Sequence, residues 1–226
     1  MSRARALPQD ALGWLHDLAR WIGTWLWAPF YRVRVHHPER IPADGPVVLV
    51  ANHSAFVDGP LLFGMFGRRV VFLVKAEMFR GPLGPLLRLI GQVPVRRAVV
   101  DRRPLTTALA VLRDGGMVAV FPEGTRGSGD VAGGVGAARQ GAAWLARASS
   151  APLLPVAVRG TRRPDGAGRR FRPRVEVLVG EPLPAPSAPG RDGLAAATTE
   201  VATALRTLVR ELESYTAEVA GDVREQ

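Results

Sequence analysis

Residues 47–58 read VVLVANHSAFVD, an apolar run that stops abruptly on polar side chains. Val47 to Ala51 is short, continuous and β-branched, the pattern of a strand buried on both faces. Asn52, His53 and Ser54 follow without a spacer, and Asp58-Gly59-Pro60 then opens a helical pattern with an acid and a proline in its first turn. A buried strand that turns through polar residues into a helix is the unit of an α/β sheet.

The same alternation continues to the C-terminus. Strands are predicted at Val70 to Val74, Val93 to Val95, Met117 to Phe121, Leu153 to Val158 and Val175 to Val179, with helices over Asp58 to Gly67, Pro104 to Asp114 and Ala137 to Ala148. Residues 76–90 look helical but are broken by Gly81-Pro82 and Gly84-Pro85. The stretch EPLPAPSAPGRDG at 181–193 reads as a Pro-rich linker to a last helix. In that helix Leu194, Val201, Leu205, Leu208, Leu212, Tyr215 and Val219 share one face, which must be buried. The expected fold is α/β, with a mixed, largely parallel sheet flanked by helices and an N-terminal amphipathic, aromatic-rich helix.

That first helix carries Trp14, Leu18, Trp21 and Trp25 at helical spacing, with Asp17 and Arg20 interrupting the other side. Trp27, Phe30 and Tyr31 continue the aromatic run, and Pro29 ends the helix. Such a face either packs on the chain's own core or lies in a membrane interface, where the indole ring is apolar and its N–H stays wet. The apolar stretch Trp21 to Tyr31 is well short of the roughly 20 residues of a bilayer-spanning helix. The opening MSRARALPQD lacks an apolar signal core, so a cytoplasmic chain is expected.

At 226 residues and 47% hydrophobic, the chain suits one globular domain. The absence of cysteine excludes a disulfide scaffold, a thiol nucleophile and cysteine-containing zinc sites. The formal net charge of +10 attracts polyanions. Lys75 is the sole lysine among the 30 basic residues.

In parallel sheets, ligands bind beyond the carboxyl ends of the strands. Here those ends run into Asn52-His53, Lys75, Arg96-Arg97 and Pro122-Glu123-Gly124-Thr125-Arg126, which together make an anion site with a possible base. His53 and Asp58 are five apart and meet only if the segment turns. Then His53 can abstract a hydroxyl proton while Asp58 holds its other ring nitrogen; otherwise Asp58 is a helix cap and His53 a loop residue. In FPEGTR (121–126), Gly124 allows close backbone approach, while Thr125 and Arg126 offer a hydroxyl and a phosphate-matching guanidinium. The plainer reading is a polar loop with a Glu123–Arg126 ion pair.

These segments resemble the glycerol-phosphate and lysophosphatidate acyltransferases. NHSAFVD (52–58) is similar to that family's Asn-His, four residues, Asp motif, and FPEGTR to its phosphate-binding motif. LVKAEMF (73–79), GQVPVRR (91–97) and PLLPVAV (152–158) match further blocks in the same order, covering about half the chain. The resemblance implies acyl transfer from a thioester, acyl-CoA or acyl carrier protein, to the free hydroxyl of a lysophospholipid, chiefly 1-acylglycerol-3-phosphate. It implies His53 as general base and Asp58 as its orienting partner. It also implies Glu123, Gly124 and Thr125 beside the acceptor's glycerol, and Lys75, Arg97 and Arg126 on its phosphate. Residues 1–32 would then be a membrane-interface helix, and 33–226 the acyltransferase domain, peripheral on the inner face of the cell membrane and drawn to an anionic surface. Arg96 stands where the family commonly has an acid, and Gly127 displaces the serine that usually follows FPEGTR.

No cofactor beyond the thioester co-substrate is expected, and no metal, since His16, His36 and His37 show no ligand spacing with carboxylates. No P-loop is present, because Ala76 follows the lone lysine. A membrane-surface lipid-binding protein that keeps the basin without turnover is the second reading. Nucleic acid is not an expected partner, because the tryptophans cluster away from the arginine-rich stretch at 159–174.

Overall fold

The computed structural model describes residues 6–27, 29–96, 101–122, 136–162 and 171–222, the side chains of 136–139 and 216–222 excepted. A seven-stranded sheet forms its centre: β1 (Arg32–His36), β2 (Val47–Ala51), β3 (Val70–Lys75), β4 (Val93–Val95), β5 (Met117–Val120), β6 (Leu153–Arg159) and β7 (Arg174–Val179). Their spatial order is β1-β7-β6-β2-β5-β3-β4. All adjacent pairs are parallel except β6 with β7. The mixed, largely parallel sheet matches the sequence pattern. β1 escapes that pattern because its outward positions, Arg32 and Arg34, leave only Val33 and Val35 apolar.

Among the described residues six helices flank the sheet: α1 (Gly13–Leu26), α2 (Asp58–Met65), α3 (Leu83–Leu89), α4 (Arg103–Arg113), α5 (Gly136–Ser149) and α6 (Gly190–Asp222). Residues of α1, α2 and α3 pack with one core cluster, built around Leu49, Leu61, Leu62 and Phe72. Those of α4, α5 and α6 pack with the cluster of Val48, Val50, Leu112 and Leu145 on the other side. Alternate residues of β2 thus face opposite cores, which is why the run had to be apolar throughout.

This layering makes a switch point between β2 and β5. The chain leaves β2 for α2 on one side of the sheet and leaves neighbouring β5 for α5 on the other. The carboxyl ends of two such adjacent parallel strands are where open α/β sheets bind ligands, and here they run directly into Asn52-His53 and Phe121.

Two elements differ from expectation. Residues 181–193 are not a free linker: Leu183 exchanges two backbone hydrogen bonds with Leu153, and α6 already begins at Gly190. Polyproline-like composition is compatible with an extended segment laid against a strand. Along α6, Val201, Leu205, Leu208 and Leu212 are buried as predicted, whereas Tyr215 is exposed at its edge and stacks on His36.

α1 packs on the protein through a mixed face, with Leu15 and Ala19 against the core cluster and polar groups bonded beside them. Its polar side chains face the protein: Asp17 receives two bonds from the Arg69 guanidinium, at 2.9 and 2.6 Å, and Arg20 donates to the carbonyl of Phe66 at 3.1 Å. Gly23 lies on Gly64 of α2, so close that a β-carbon on Gly64 would come within 2.6 Å of the Gly23 carbonyl carbon. Thr24 caps this contact by donating to the Gly64 carbonyl at 2.8 Å. The apolar face points outward, with Trp14, Trp21 and Trp25 exposed at 65%, 63% and 64%. Among the described residues no helix is long and apolar enough to cross a membrane.

His16 anchors the helix. It is fully buried, its Nδ1–H donates to the carbonyl of Ile90 at 2.7 Å, and its ring lies 4.8 Å from that of Phe63. Burial pulls its pKa down from 6.5 to about 4, against the opposing pull of the Ile90 carbonyl. Between those values the unfolded chain binds the proton that the folded chain refuses, so this contribution to stability is present above pH 6.5 and is lost as pH falls toward 4. Denaturant melts at pH 7 and 4.5 should show the wild type losing roughly 2–3 kcal/mol more than His16→Gln. Equal losses would remove His16 as the cause.

Candidate active site

At the end of β2 the Asn52 carboxamide takes over from the ladder. It donates to the carbonyl of Val158 at 2.9 Å and accepts from the Val158 N–H at 2.7 Å. The side chain thereby reproduces the backbone pairing of β2 with β6 one residue beyond the strand, and the main chain is free to turn.

Asp58 closes that turn. Its Oδ2 accepts from the N–H groups of Ser54 at 2.7 Å and Ala55 at 2.8 Å, and lies 3.2 Å from Nδ1 of His53. Asp58 is the first residue of α2, yet its carboxylate bonds backward into the turn and not to its own helix. That distinguishes it from an ordinary cap, whose oxygen would bind N–H groups further along the helix. The carboxylate is fully buried, and among the described residues its Oδ1 has no hydrogen-bond partner. The two fixed N–H donors hold Oδ2 beside the imidazole.

Two further contacts define the imidazole's setting. The Phe121 ring stacks on it with centroids 4.3 Å apart and planes inclined by 24°, and Phe72 stacks behind Phe121 at 5.8 Å. Ser54 Oγ lies 3.0 Å from Oγ1 of Thr161 and 3.5 Å from Asp58 Oδ2. Sequence reading missed both contacts. Phe121 looked like the end of a strand, and Thr161 opens an arginine-rich connection more than a hundred residues downstream, with no local signal that it reaches the turn.

Lys75 ends β3, on the same edge of the sheet as His53. β5 lies between β3 and β2, so the two strand ends are separated by two strand spacings, roughly 10 Å. The ammonium group is half exposed and stands 3.8 Å from Glu77. Arg96 follows β4 on the same edge. Arg97, Glu123, Gly124, Thr125 and Arg126 lie outside the described residues.

A model of the acyltransferase family matches residues 32–159, from the start of β1 to the end of β6. The chain belongs to the acyltransferase family. It is 31% identical to the 1-acyl-sn-glycerol-3-phosphate acyltransferase of Bacillus subtilis over 80% of this chain and 88% of that protein. It is 32% identical to the human 1-acyl-sn-glycerol-3-phosphate acyltransferase beta over 56% of this chain and 47% of the human one. The fold is similar to the crystal structure of the 1-acyl-sn-glycerophosphate acyltransferase PlsC from Thermotoga maritima, with a TM-score of 0.66 and 30% identity over 88% of this chain and 79% of that one. As an acyltransferase the chain is an enzyme, and its matched span contains the turn at 52–58 and the adjacent carboxyl ends of β2 and β5.

Thr161 lies just beyond that span and offers a test of how the turn is held. Thr161→Val removes the hydroxyl but keeps the shape, and should lower kcat by about three- to tenfold with KM little changed, while Thr161→Ser restores the rate. Loss of one such hydrogen bond costs about 1 kcal/mol. A fully active Thr161→Val enzyme would show that the hydroxyl pair does not position the turn.

Proposed function

We propose that the enzyme transfers a fatty acyl group from a thioester, acyl-CoA or acyl carrier protein, to the free hydroxyl of 1-acylglycerol-3-phosphate, giving phosphatidate. The observation that carries this reading is the His53–Asp58 pair, with Nδ1 against a buried carboxylate at the carboxyl end of β2, beside that of β5. The names of the relatives from Bacillus subtilis and Thermotoga maritima support the same acceptor.

With Nδ1–H donated to Asp58, Nε2 of His53 is the atom that accepts the acceptor's hydroxyl proton. The oxygen attacks the thioester carbonyl as the proton leaves. The tetrahedral oxyanion collapses, the C–S bond breaks, and the thiolate takes the proton back from the imidazolium. Asp58 stabilises that imidazolium, and the Phe121 stack keeps the ring from rotating off line. No acyl-enzyme forms, so no nucleophilic cysteine or serine elbow is needed. Lys75, Arg97 and Arg126 bind the acceptor's phosphate, and Glu123, Gly124 and Thr125 place its glycerol. The span from His53 to the end of β3 suits a lysine side chain reaching the phosphate of an acceptor whose hydroxyl lies at the imidazole.

The setting we propose is the cytoplasmic face of the cell membrane. Residues 1–32 lie in the interface and 33–226 carry the reaction. The exposed tryptophan face of α1 supports this, since indole rings suit the headgroup region of a bilayer. The net charge of +10 favours an anionic surface.

The products formed from a panel of lysolipids and glycerol 3-phosphate, with acyl-CoA and acyl carrier protein as donors, test the assignment by mass spectrometry. Phosphatidate from 1-acylglycerol-3-phosphate should dominate by about tenfold or more, a preference worth about 1.4 kcal/mol. Preferential acylation of glycerol 3-phosphate or of an uncharged lysolipid would contradict it. Binding without any ester product would leave a lipid-binding role in its place.

A further inference from the structure

The structure assigns a second lipid-facing element, α3, and this rests on the interface reading of α1. Leu83, Leu86 and Leu89 are exposed at 42%, 42% and 39%, and Pro82 and Pro85 beside them are exposed too. A seven-residue helix that shows leucines in both of its turns to water presents a contiguous apolar patch, which on soluble surfaces marks an interaction site.

Three observations name a lipid surface as the occupant. First, α1 and α3 cover the same side of the sheet: Leu15 and Ala19 of α1 and Leu87 of α3 turn into one core cluster, so their outer faces point the same way. Second, the two helices are fastened together. The N–H of Leu12 donates to the carbonyl of Leu89 at 2.8 Å, and His16 bonds to the carbonyl of Ile90 at 2.7 Å. The leucines therefore extend the tryptophan face as part of one rigid surface. Third, the surrounding charge is basic. Arg80 and Arg88 are exposed at the rim, and Glu77 is the sole acid between residues 76 and 96. Arg88 is steadied by its guanidinium, 5.4 Å over the Phe79 ring. An apolar centre with arginines at its edge is the pattern of a surface that inserts between headgroups and pairs with their phosphates.

The placement has a functional consequence. α3 follows β3 and Lys75 through the 3₁₀ turn Ala76–Phe79. With α3 in the interface, the chain passes from Lys75 to the leaflet through that single turn. A lysolipid can then present its phosphate to Lys75 without leaving the leaflet.

The cysteine-free chain allows the test. A polarity-sensitive thiol dye is placed in turn at Leu86→Cys, at Trp21→Cys on α1, and at Glu200→Cys on α6, on the opposite side of the sheet. Adding vesicles of phosphatidylglycerol and phosphatidylcholine should shift the dye's emission to the blue at positions 86 and 21 and leave it unchanged at 200. In parallel, Leu83→Glu/Leu86→Glu/Leu89→Glu should weaken vesicle binding on the order of tenfold or more with an unaltered melting temperature. A shift at 21 without one at 86 would overturn the role of α3 while leaving α1 in the interface. No shift at either position would overturn both. A shift at 86 that follows protein concentration instead of vesicles would mean that a second copy of the chain covers the leucines.

Discussion

The site depends on one exchange of hydrogen bonds, that of the Asn52 carboxamide with the backbone of Val158. A central strand cannot end in mid-sheet without leaving its neighbour's donor and acceptor unpaired, and a buried unpaired group costs about 1–3 kcal/mol. The carboxamide satisfies both while releasing its own main chain. The next residues form a turn whose N–H groups would also lack partners, and the Asp58 carboxylate collects them from Ser54 and Ala55. His53 is caught between these two fixed points, with Phe121 across its face. The catalytic geometry we propose is thus a by-product of ending β2 cleanly between β5 and β6.

The same economy appears at the N-terminus. α1 meets the core through Leu15 and Ala19 and is held there by polar groups: the Asp17–Arg69 pair, the Arg20 bond to Phe66, the His16 bond to Ile90. The Arg69 guanidinium, bonded to Asp17, keeps that carboxyl below its ordinary range. Close approach at Gly23 and Gly64 lets these short bonds form, because any side chain at Gly64 would push the helices apart. Trp14, Trp21 and Trp25 are left exposed. A helix held by such bonds can carry apolar residues outward without loosening the fold, and α3, which packs through Leu87 and is bonded to α1 at Leu89 and Ile90, also shows leucines outward.

Much of this was legible in the chain, and the limits have physical causes. β2 and the turn after it could be read because burial on both faces demands an unbroken apolar run, and because Asn, His and Asp have few reasons to follow one. The meeting of His53 and Asp58 required only that the segment turn. α1 was readable as an amphipathic helix, but periodicity is blind to which face docks, and the decisive partners, Arg69 and Gly64, lie some fifty residues away. β1 was missed because an edge strand buries only alternate residues. Thr161 was missed because its contact with Ser54 is set by the sheet, where β6 delivers it beside the end of β2. The resemblance to acyltransferases supplied roles for Lys75 and the FPEGTR motif that spacing alone left open.

The central claim is that acyl transfer runs through the His53 imidazole held by Asp58. The kcat of His53→Ala on vesicle-borne 1-acylglycerol-3-phosphate with acyl-CoA, beside a melting curve of the variant, measures it most directly. Loss of the base should lower kcat by about a thousandfold while the protein stays folded. A folded His53→Ala enzyme within about threefold of the wild-type rate, a difference of less than 1 kcal/mol in the barrier, would contradict the account.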